Sequence, residues 1–408
     1  SPMPFPPPRL LATSAVALSI AAPALAQDWD WGEPNVPEFR PAFENQTRAP
    51  KIEDRDAVRS ETFATGLENP WGIALLPDGS YLVTERPGRL RHVAADGTVS
   101  EPIAGVPEVL AEDQGGLLDV ALAPDFAESR RVFLTYSRPV GELSATVAGS
   151  GVLSGDMREL SDWQILFTQD PPSPTPLQYG SRILFDGEIA YITTGERYSD
   201  EERVFAQDVT RTYGKVVRMN ASGGPAEGNP FADQGTTAAE VYTLGHRNVQ
   251  GAALDAEGTL WTLEHGPAGG DELNRIEAGA NYGWPEVSYG EDYDGSPVGT
   301  GQPRGEGFVE PVYYWDPVIA PGGFVFYEGD LFPGWEGDIL AASLSPGGIV
   351  RLDMEGGRVA GEARYLSGEN RIRDVEIAPD GAILALVDDP EGSILRITPR
   401  DGTAQPAD

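Results

Sequence analysis

The sequence predicts an all-β fold: a six-bladed β-propeller built from four-stranded antiparallel blades. One pattern recurs along the chain, in which a short alternating apolar stretch meets a turn of the Asp-Gly kind and a second β-rich stretch follows. Successive copies lie roughly 45–70 residues apart, close to the period of four short strands. Nothing between the copies reads as a long amphipathic helix. The 49 Gly and 36 Pro are spread as turn punctuation and form no periodic tract.

Taken in order, residues 1–26 read as an export signal. Arg9 gives a minimal positive start, Leu10 to Ala22 an apolar stretch, and Ala24-Leu25-Ala26 a small-residue cleavage site. A mature chain beginning at Gln27, in the periplasm or secreted, is expected. Residues 27–60 are polar, proline-containing and aperiodic, as in a lead-in arm. Residues 61–400 carry the six repeats, and 401–408 form a short tail. The first repeat is Trp71–Leu76, Pro77-Asp78-Gly79, Tyr81–Thr84. The second is Leu118–Leu122, Pro124-Asp125-Phe126, Val132–Tyr136. The third is Ile183–Phe185, Asp186-Gly187, Ile189–Thr194, and the fourth Gly251–Leu254, Glu257-Gly258, Leu260–Thr262. A degenerate fifth lies at Gly323–Tyr327 and Asp338–Leu344. The sixth is Val375–Ala378, Pro379-Asp380-Gly381, Ile383–Val387. A plain multi-strand sandwich is the alternative architecture. In a propeller, loops of one face converge on the channel, and chemistry is sought there.

Composition narrows the partners. The formal charge is −35, which argues against nucleic acid or an anionic membrane surface. Lys51 and Lys215 are the only lysines, so arginine carries nearly all positive charge. No run beyond the signal approaches ~20 apolar residues, so membrane insertion is not expected. The chain has no cysteine, which excludes disulfides, thiol catalysis and thiolate metal sites.

Eight segments, in order from about residue 60 to 398, then stand out. They are Leu67–Gly72 (LENPWG), Thr84–Leu90 (TERPGRL), Gln114–Leu118 (QGGLL), and Gly245–Asn248 (GHRN) with Gln250. Glu264–Pro267 (EHGP) with Gly270–Asn274 (GDELN), Asn281–Pro285 (NYGWP), Tyr313–Pro317 (YYWDP) and Arg371–Asp374 (RIRD) complete the set. Together they resemble the soluble PQQ-dependent glucose and aldose sugar dehydrogenases, the glucose/sorbosone dehydrogenase family.

The resemblance implies a site for pyrroloquinoline quinone (PQQ), a planar tricarboxylate suited to guanidinium and amide donors. Gln114, Arg247, Asn248, Gln250 and His265 would line one part of it, and Arg371 and Arg373 another. Arg371 and Arg373 stand at i and i+2, which in a strand puts both on one face. Calcium would be held by the Gly266 and Pro267 carbonyls and act as a Lewis acid. A second, structural calcium would use Glu272, the Tyr282 carbonyl and Glu310. The reaction implied is oxidation of an aldose sugar or related alcohol by hydride transfer to the quinone, with an electron acceptor left open.

Two departures stand against the family pattern. The catalytic histidine of the family falls on Gln178, in Gln178–Arg182, and an amide has no usable proton affinity near neutral pH. The acidic partner of that base falls on Glu196. Substitute bases would be Glu196, His265 or Asp271. The cofactor-binding lysine that glucose-oxidising relatives carry is absent from Ser343–Gly347. Of the remaining histidines, His92 reads as a surface or inter-blade residue and His246 as a structural one. Two other functions fit parts of the pattern: a carbohydrate- or cofactor-binding propeller without catalysis, and a calcium-dependent sugar lactonase. The sequence allows a monomer or a homodimer.

Overall fold

Each of the six repeats falls on the first two strands of a separate antiparallel sheet, so the sequence repeat is the blade repeat. The computed structural model describes residues 29–54 and 57–400, and the signal at 1–26 and the tail at 401–408 lie outside them. All elements below belong to the unit Trp31–Asp408.

The first strand, β1 (Val58–Leu67), joins no blade until the chain ends. Blade 1 holds β2 (Pro70–Leu75), β3 (Tyr81–Glu85) and β4 (Arg89–Val93), with a lone Val93–Val99 bridge beyond β4. Blade 2 holds β5 (Leu117–Leu122), β6 (Arg131–Val140), β7 (Leu143–Leu153) and β8 (Leu160–Thr168). Blade 3 holds β9 (Ile183–Asp186), β10 (Ile189–Thr193), β11 (Val216–Asn220) and β12 (Val241–Thr243). Blade 4 holds β13 (Val249–Leu254), β14 (Leu260–Glu264), β15 (Asp271–Arg275) and β16 (Tyr313–Trp315). Blade 5 holds β17 (Pro321–Phe326), β18 (Ile339–Ser343), β19 (Gly348–Glu355) and β20 (Arg358–Tyr365). Blade 6 holds β21 (Ile372–Ile377), β22 (Ile383–Val387) and β23 (Gly392–Pro399), and β1 returns as its outer strand, paired from Val58↔Pro399 to Leu67↔Gly392. The innermost strands β2, β5, β9, β13, β17 and β21 touch in turn and close the ring. The structure is a six-bladed β-propeller.

Strand alternation explains why the blades stack. On β22, Ile383, Ala385 and Val387 pack toward blade 5, whereas Leu384 and Leu386 pack toward blade 1. A strand buried on both faces therefore reads as an unbroken apolar run. Fully burying each Leu or Ile contributes about 1.5–3 kcal/mol, so every blade interface adds to stability. The expected arm has neither helix nor strand in residues 31–50 and is strapped to blades 4 and 5. The Asn35 and Val36 amides donate to the Asp316 carboxylate at 2.7 and 2.9 Å, and Ile52 N donates to Glu362 O at 2.8 Å. Among the described residues no helix is long and apolar enough to cross a membrane.

Candidate active site

The starts of the innermost strands meet over one end of the channel. Asn69 and Trp71 come from the start of β2, Gln114 from just before β5, and Asn248 and Gln250 from the start of β13. Arg371 and Arg373 flank the first residue of β21, and both face the same cavity, of about 450 Å³. Turns between second and third strands add Arg86, His265, Leu344 and Asp388. Six of the seven residues expected to hold a cofactor thus converge: Gln114, Asn248, Gln250, His265, Arg371 and Arg373. The seventh, Arg247, lines an adjoining pocket.

Charges in the cavity are partly paired. Arg373 Nη2 lies 2.6 Å from Asp388 Oδ2, and its Nη1 donates to Gln250 Oε1 at 2.7 Å. Asn69 Nδ2 also donates to Asp388 at 3.0 Å. Burial would raise the Asp388 carboxyl, but the Arg373 charge and these hydrogen bonds hold it below its ordinary value. Arg371 makes no ion pair among the described residues, and its Nη1 only approaches Leu344 O at 3.4 Å. Below Trp71 the Arg182 guanidinium lies 4.2 Å from the ring centroid, bonded to Asp119 and Asp374 at 3.1 and 2.8 Å. Asn69, Trp71, Arg86 and Asp388 received no role from sequence. The first three lie inside the LENPWG and TERPGRL segments, which marked their neighbourhood without showing where they point.

Gln178 and Glu196 are both buried and touch. With the Gln178 amide turned so that both its ends are satisfied, its nitrogen donates to Glu196 Oε1 and its oxygen accepts from Arg247 Nη2 at 3.1 Å. Gln178 N donates to Gln114 Oε1 at 2.9 Å, which ties this pair to the cavity wall. Glu196 Oε1 also accepts from Tyr198 N at 3.1 Å, whereas Oε2 is buried and makes no well-formed hydrogen bond. Burial, opposed by the Arg247 and Arg203 charges, pushes the Glu196 carboxyl from 4.5 to about 7.

The other candidate bases differ. His265 Nε2 donates to Pro321 O at 2.5 Å, which leaves Nδ1 unprotonated in the neutral ring. Burial, reinforced by Arg373, Arg247 and Arg371, lowers its pKa to about 3. Asp271 is raised to about 7 by burial, yet both of its oxygens are occupied. Oδ1 accepts from Gly266 N at 2.7 Å, and Oδ2 from Ile319 N and Ala320 N at 2.9 and 2.7 Å.

For the expected metal, the loop after β14 is drawn tight. A Cβ at Gly266 would meet Gly269 and Gly270 backbone atoms at 2.3–2.4 Å, so only glycine fits there. The Gly266 carbonyl accepts from Arg247 Nη1 at 2.7 Å and keeps a second lone pair. Of the second set, Glu272 is pushed well above its ordinary value by burial and by Glu264. Glu310 Oε2 accepts from Tyr289 OH at 2.5 Å and Gln46 Nε2 at 2.8 Å. The Tyr282 ring stacks on His246 at 4.8 Å. Among the described residues no three His, Asp or Glu side chains group as a metal site. His246 is fully buried between Thr243 and Glu264, and His92 sits on β4, bonded to Ser80.

Fold and cavity together define a propeller protein with its polar site at the mouth of the channel. Residues 67–396 match the family described as Glucose / Sorbosone dehydrogenase. An aldose sugar dehydrogenase of Escherichia coli strain K12 (YliI) is 39% identical over 353 residues, covering 84% of this chain and 94% of the relative. The apo crystal structure of the soluble aldose sugar dehydrogenase from Escherichia coli aligns at TM-score 0.80 and 38% identity, over 84% of this chain and 100% of that one. The PQQ-bound aldose sugar dehydrogenase of Streptomyces coelicolor aligns at TM-score 0.70 and 30% identity, over 85% and 99%. The chain belongs to the glucose/sorbosone dehydrogenase family.

Proposed function

We propose that this chain is a PQQ- and calcium-dependent dehydrogenase of aldose sugars or related alcohols, acting in the periplasm after removal of residues 1–26. The observation that carries this reading is the convergence of Gln114, Asn248, Gln250, His265, Arg371 and Arg373 on one cavity. Its volume suits a compact planar ligand. Arg371, which has no carboxylate partner among the described residues, and Arg373 would hold carboxylates of the cofactor, with amide donors from Asn248 and Gln250. Trp71 offers a flat ring backed by Arg182. The carbonyls of Gly266 and Pro267 would hold calcium, a hard cation matched to oxygen donors. PQQ, when bound, supplies the two-electron acceptor for the hydride leaving C1.

The protein must then accept the hydroxyl proton, and Glu196 is the group assigned to that step. Its Oε2 makes no well-formed hydrogen bond, although the Trp284 side chain acts on the carboxyl and lowers its pKa, and the resulting value near 7 suits a general base. Gln178 fixes its orientation through Oε1. The lactonase reading finds less support, since Asp388 is bound to Arg373 and Asp119 and Asp374 to Arg182.

The test is to add PQQ and calcium to the protein and screen aldoses with an artificial electron acceptor. A ligand that binds only the native state raises the melting temperature, by about 2.7 kcal/mol of stability at a hundredfold excess over Kd. Arg371→Ala should weaken that shift. An unchanged melting curve at high PQQ and calcium removes the cofactor assignment. A shift without dye reduction leaves a cofactor-binding propeller that lacks catalysis.

A further inference from the structure

Five large apolar side chains are exposed among the described residues, and three of them fall together beside the cavity of Arg371 and Arg373. Tyr198 and Tyr293, 42% and 65% exposed, line one pocket of about 350 Å³. Val204, 52% exposed, follows Arg203, which lines the same pocket. Arg247 lines it as well, and the next residue, Asn248, lines the cavity, so this surface lies at the cavity's edge. The surface is also firmly held. Ser199 Oγ accepts from Glu202 N at 3.2 Å and donates to Glu202 Oε2 at 2.9 Å. Arg203 Nη1 and Nη2 bond both carboxylate oxygens of Asp292 at 3.2 and 2.8 Å. Ala268 and Glu291 exchange backbone hydrogen bonds at 2.9 and 3.1 Å, which seats the turn on the loop from Gly266 to Gly270. A surface already fixed in this way loses little freedom when a partner covers it.

Charge around the three residues is negative at the surface and positive only beneath it. Asp200, Glu201 and Asp294 are exposed, and hydrogen bonds from Ser296 hold the Asp294 carboxyl below its ordinary value. Arg247 is only 3% exposed, and Arg203 is occupied by Asp292. Tyrosines at an apolar centre, ringed by charge, have the composition of a protein-docking surface. Encounters between redox proteins are small and short-lived, so a patch of this size suffices. The formal charge of −35 sets the sign of the partner, since it draws in a basic protein and repels an acidic one. Each turnover of the proposed reaction leaves two electrons and two protons that must pass from the reduced cofactor before the next sugar reacts. We infer that Tyr198, Val204 and Tyr293, with Asp200, Glu201 and Asp294 about them, form the docking face for a basic one-electron carrier protein, an inference that rests on the proposed function. Two carriers dock in succession, each is reduced by one electron, and the two protons pass to water.

The probe is cytochrome c, a basic haem protein, used in two arms. The first measures its Kd for the chain without cofactor, by titration calorimetry at low ionic strength. Reversing two charges of the face, Asp200→Lys with Glu201→Lys, weakens binding about tenfold or more, and Tyr293→Ala about three- to tenfold. Asp186→Lys with Glu257→Lys reverses two exposed charges in turns at the opposite end of the blades. That pair leaves Kd within about twofold, because charges distant from the contact are screened. No binding, or equal losses from the two charge pairs, overturns the docking face. The second arm loads the protein with PQQ and calcium, supplies an aldose, and compares reduction of cytochrome c with that of a small neutral dye. Asp200→Lys with Glu201→Lys lowers kcat/KM for cytochrome c about tenfold and leaves the dye rate within about twofold. Equal falls in both rates also overturn the face. Binding that follows the face, in a protein that reduces no dye with any sugar, keeps the docking surface and removes the dehydrogenase reading. Dye reduction with cytochrome c binding indifferent to these substitutions keeps the enzyme and removes the docking surface.

Discussion

An amide at position 178 cannot take a proton near neutral pH, but it can hold the group that does. Gln178 donates to Glu196 Oε1 and accepts from Arg247, so the carboxylate is fixed while its Oε2 makes no well-formed hydrogen bond. If Glu196 is the base, its ionised form is the active one, and kcat/KM rises with pH to a plateau above about 7. Glu196→Gln removes that limb and lowers kcat about 10²–10⁴-fold. Stability runs the opposite way. Glu196 has a folded value above its ordinary 4.5, so protonation favours the fold. That contribution is complete below about 4.5 and is lost as pH rises through about 7. The melting temperature of Glu196→Gln should therefore exceed that of the natural protein at pH 8 and match it near pH 4. Gln178→His should leave kcat within about threefold. A tenfold or greater gain there would show that the protein lacks its base and that Glu196 only orients one.

At the scale of an element, the loop from Gly266 to Gly270 depends on Asp271, whose two oxygens accept from Gly266 N, Ile319 N and Ala320 N. Asparagine there would present an NH₂ to at least one backbone N–H. Hydrogen bonds to a charged group contribute about 1.5–3 kcal/mol each, so Asp271→Asn should lower the urea midpoint clearly and weaken PQQ binding. A catalytic Asp271 would show the reverse, normal stability with lost kcat. This loop also shows what the sequence could tell. The six hairpins were legible because Asp-Gly turns and apolar alternation are local. So was the convergence of Arg371 and Arg373, since i and i+2 share a face of a strand. The role of β1 was not legible. Its partner β23 lies at the other end of the chain, and its alternation alone does not separate a strand from an arm. The start of the propeller, expected at 61, therefore falls inside a strand that begins at Val58. Trp71 and Asp388 were missed for a related reason: each enters the cavity from a different blade, and no spacing connects them. Likewise, the three amides occupying Asp271 come from two separate loops.

For the whole molecule, the question is what holds six blades in register around a channel that the cavity of Arg371 and Arg373 overlies. Much of the answer is Arg182, just before β9 of blade 3. Its Nη1 bonds Asp119 of blade 2 and Asp374 of blade 6, its Nε donates to the Gln250 carbonyl of blade 4, and its Nη2 donates to the Arg373 carbonyl at 3.1 Å. The two carboxylates extend the network, since Asp119 also accepts from Ile183 N and Asp374 from Ile73 N. All three side chains are buried, and burial drives both aspartates upward, Asp374 to about 6, with the Arg182 charge opposing it. Removing one partner of a buried charge network costs about 3–5 kcal/mol, because the remaining charges lose their compensation. Arg182→Met should lower stability by that amount in urea titration, and it should also strip the cation from beneath Trp71 and weaken PQQ binding. Combining it with Asp119→Asn and Asp374→Asn removes the stranded charges, so the triple variant should recover more than half of the loss. Charge compensation then accounts for the hub. Should Arg182→Met unfold at the natural urea midpoint, blade packing alone closes the ring. Should the triple variant be no more stable than the single one, the guanidinium acts through its bonds to the Gln250 and Arg373 carbonyls.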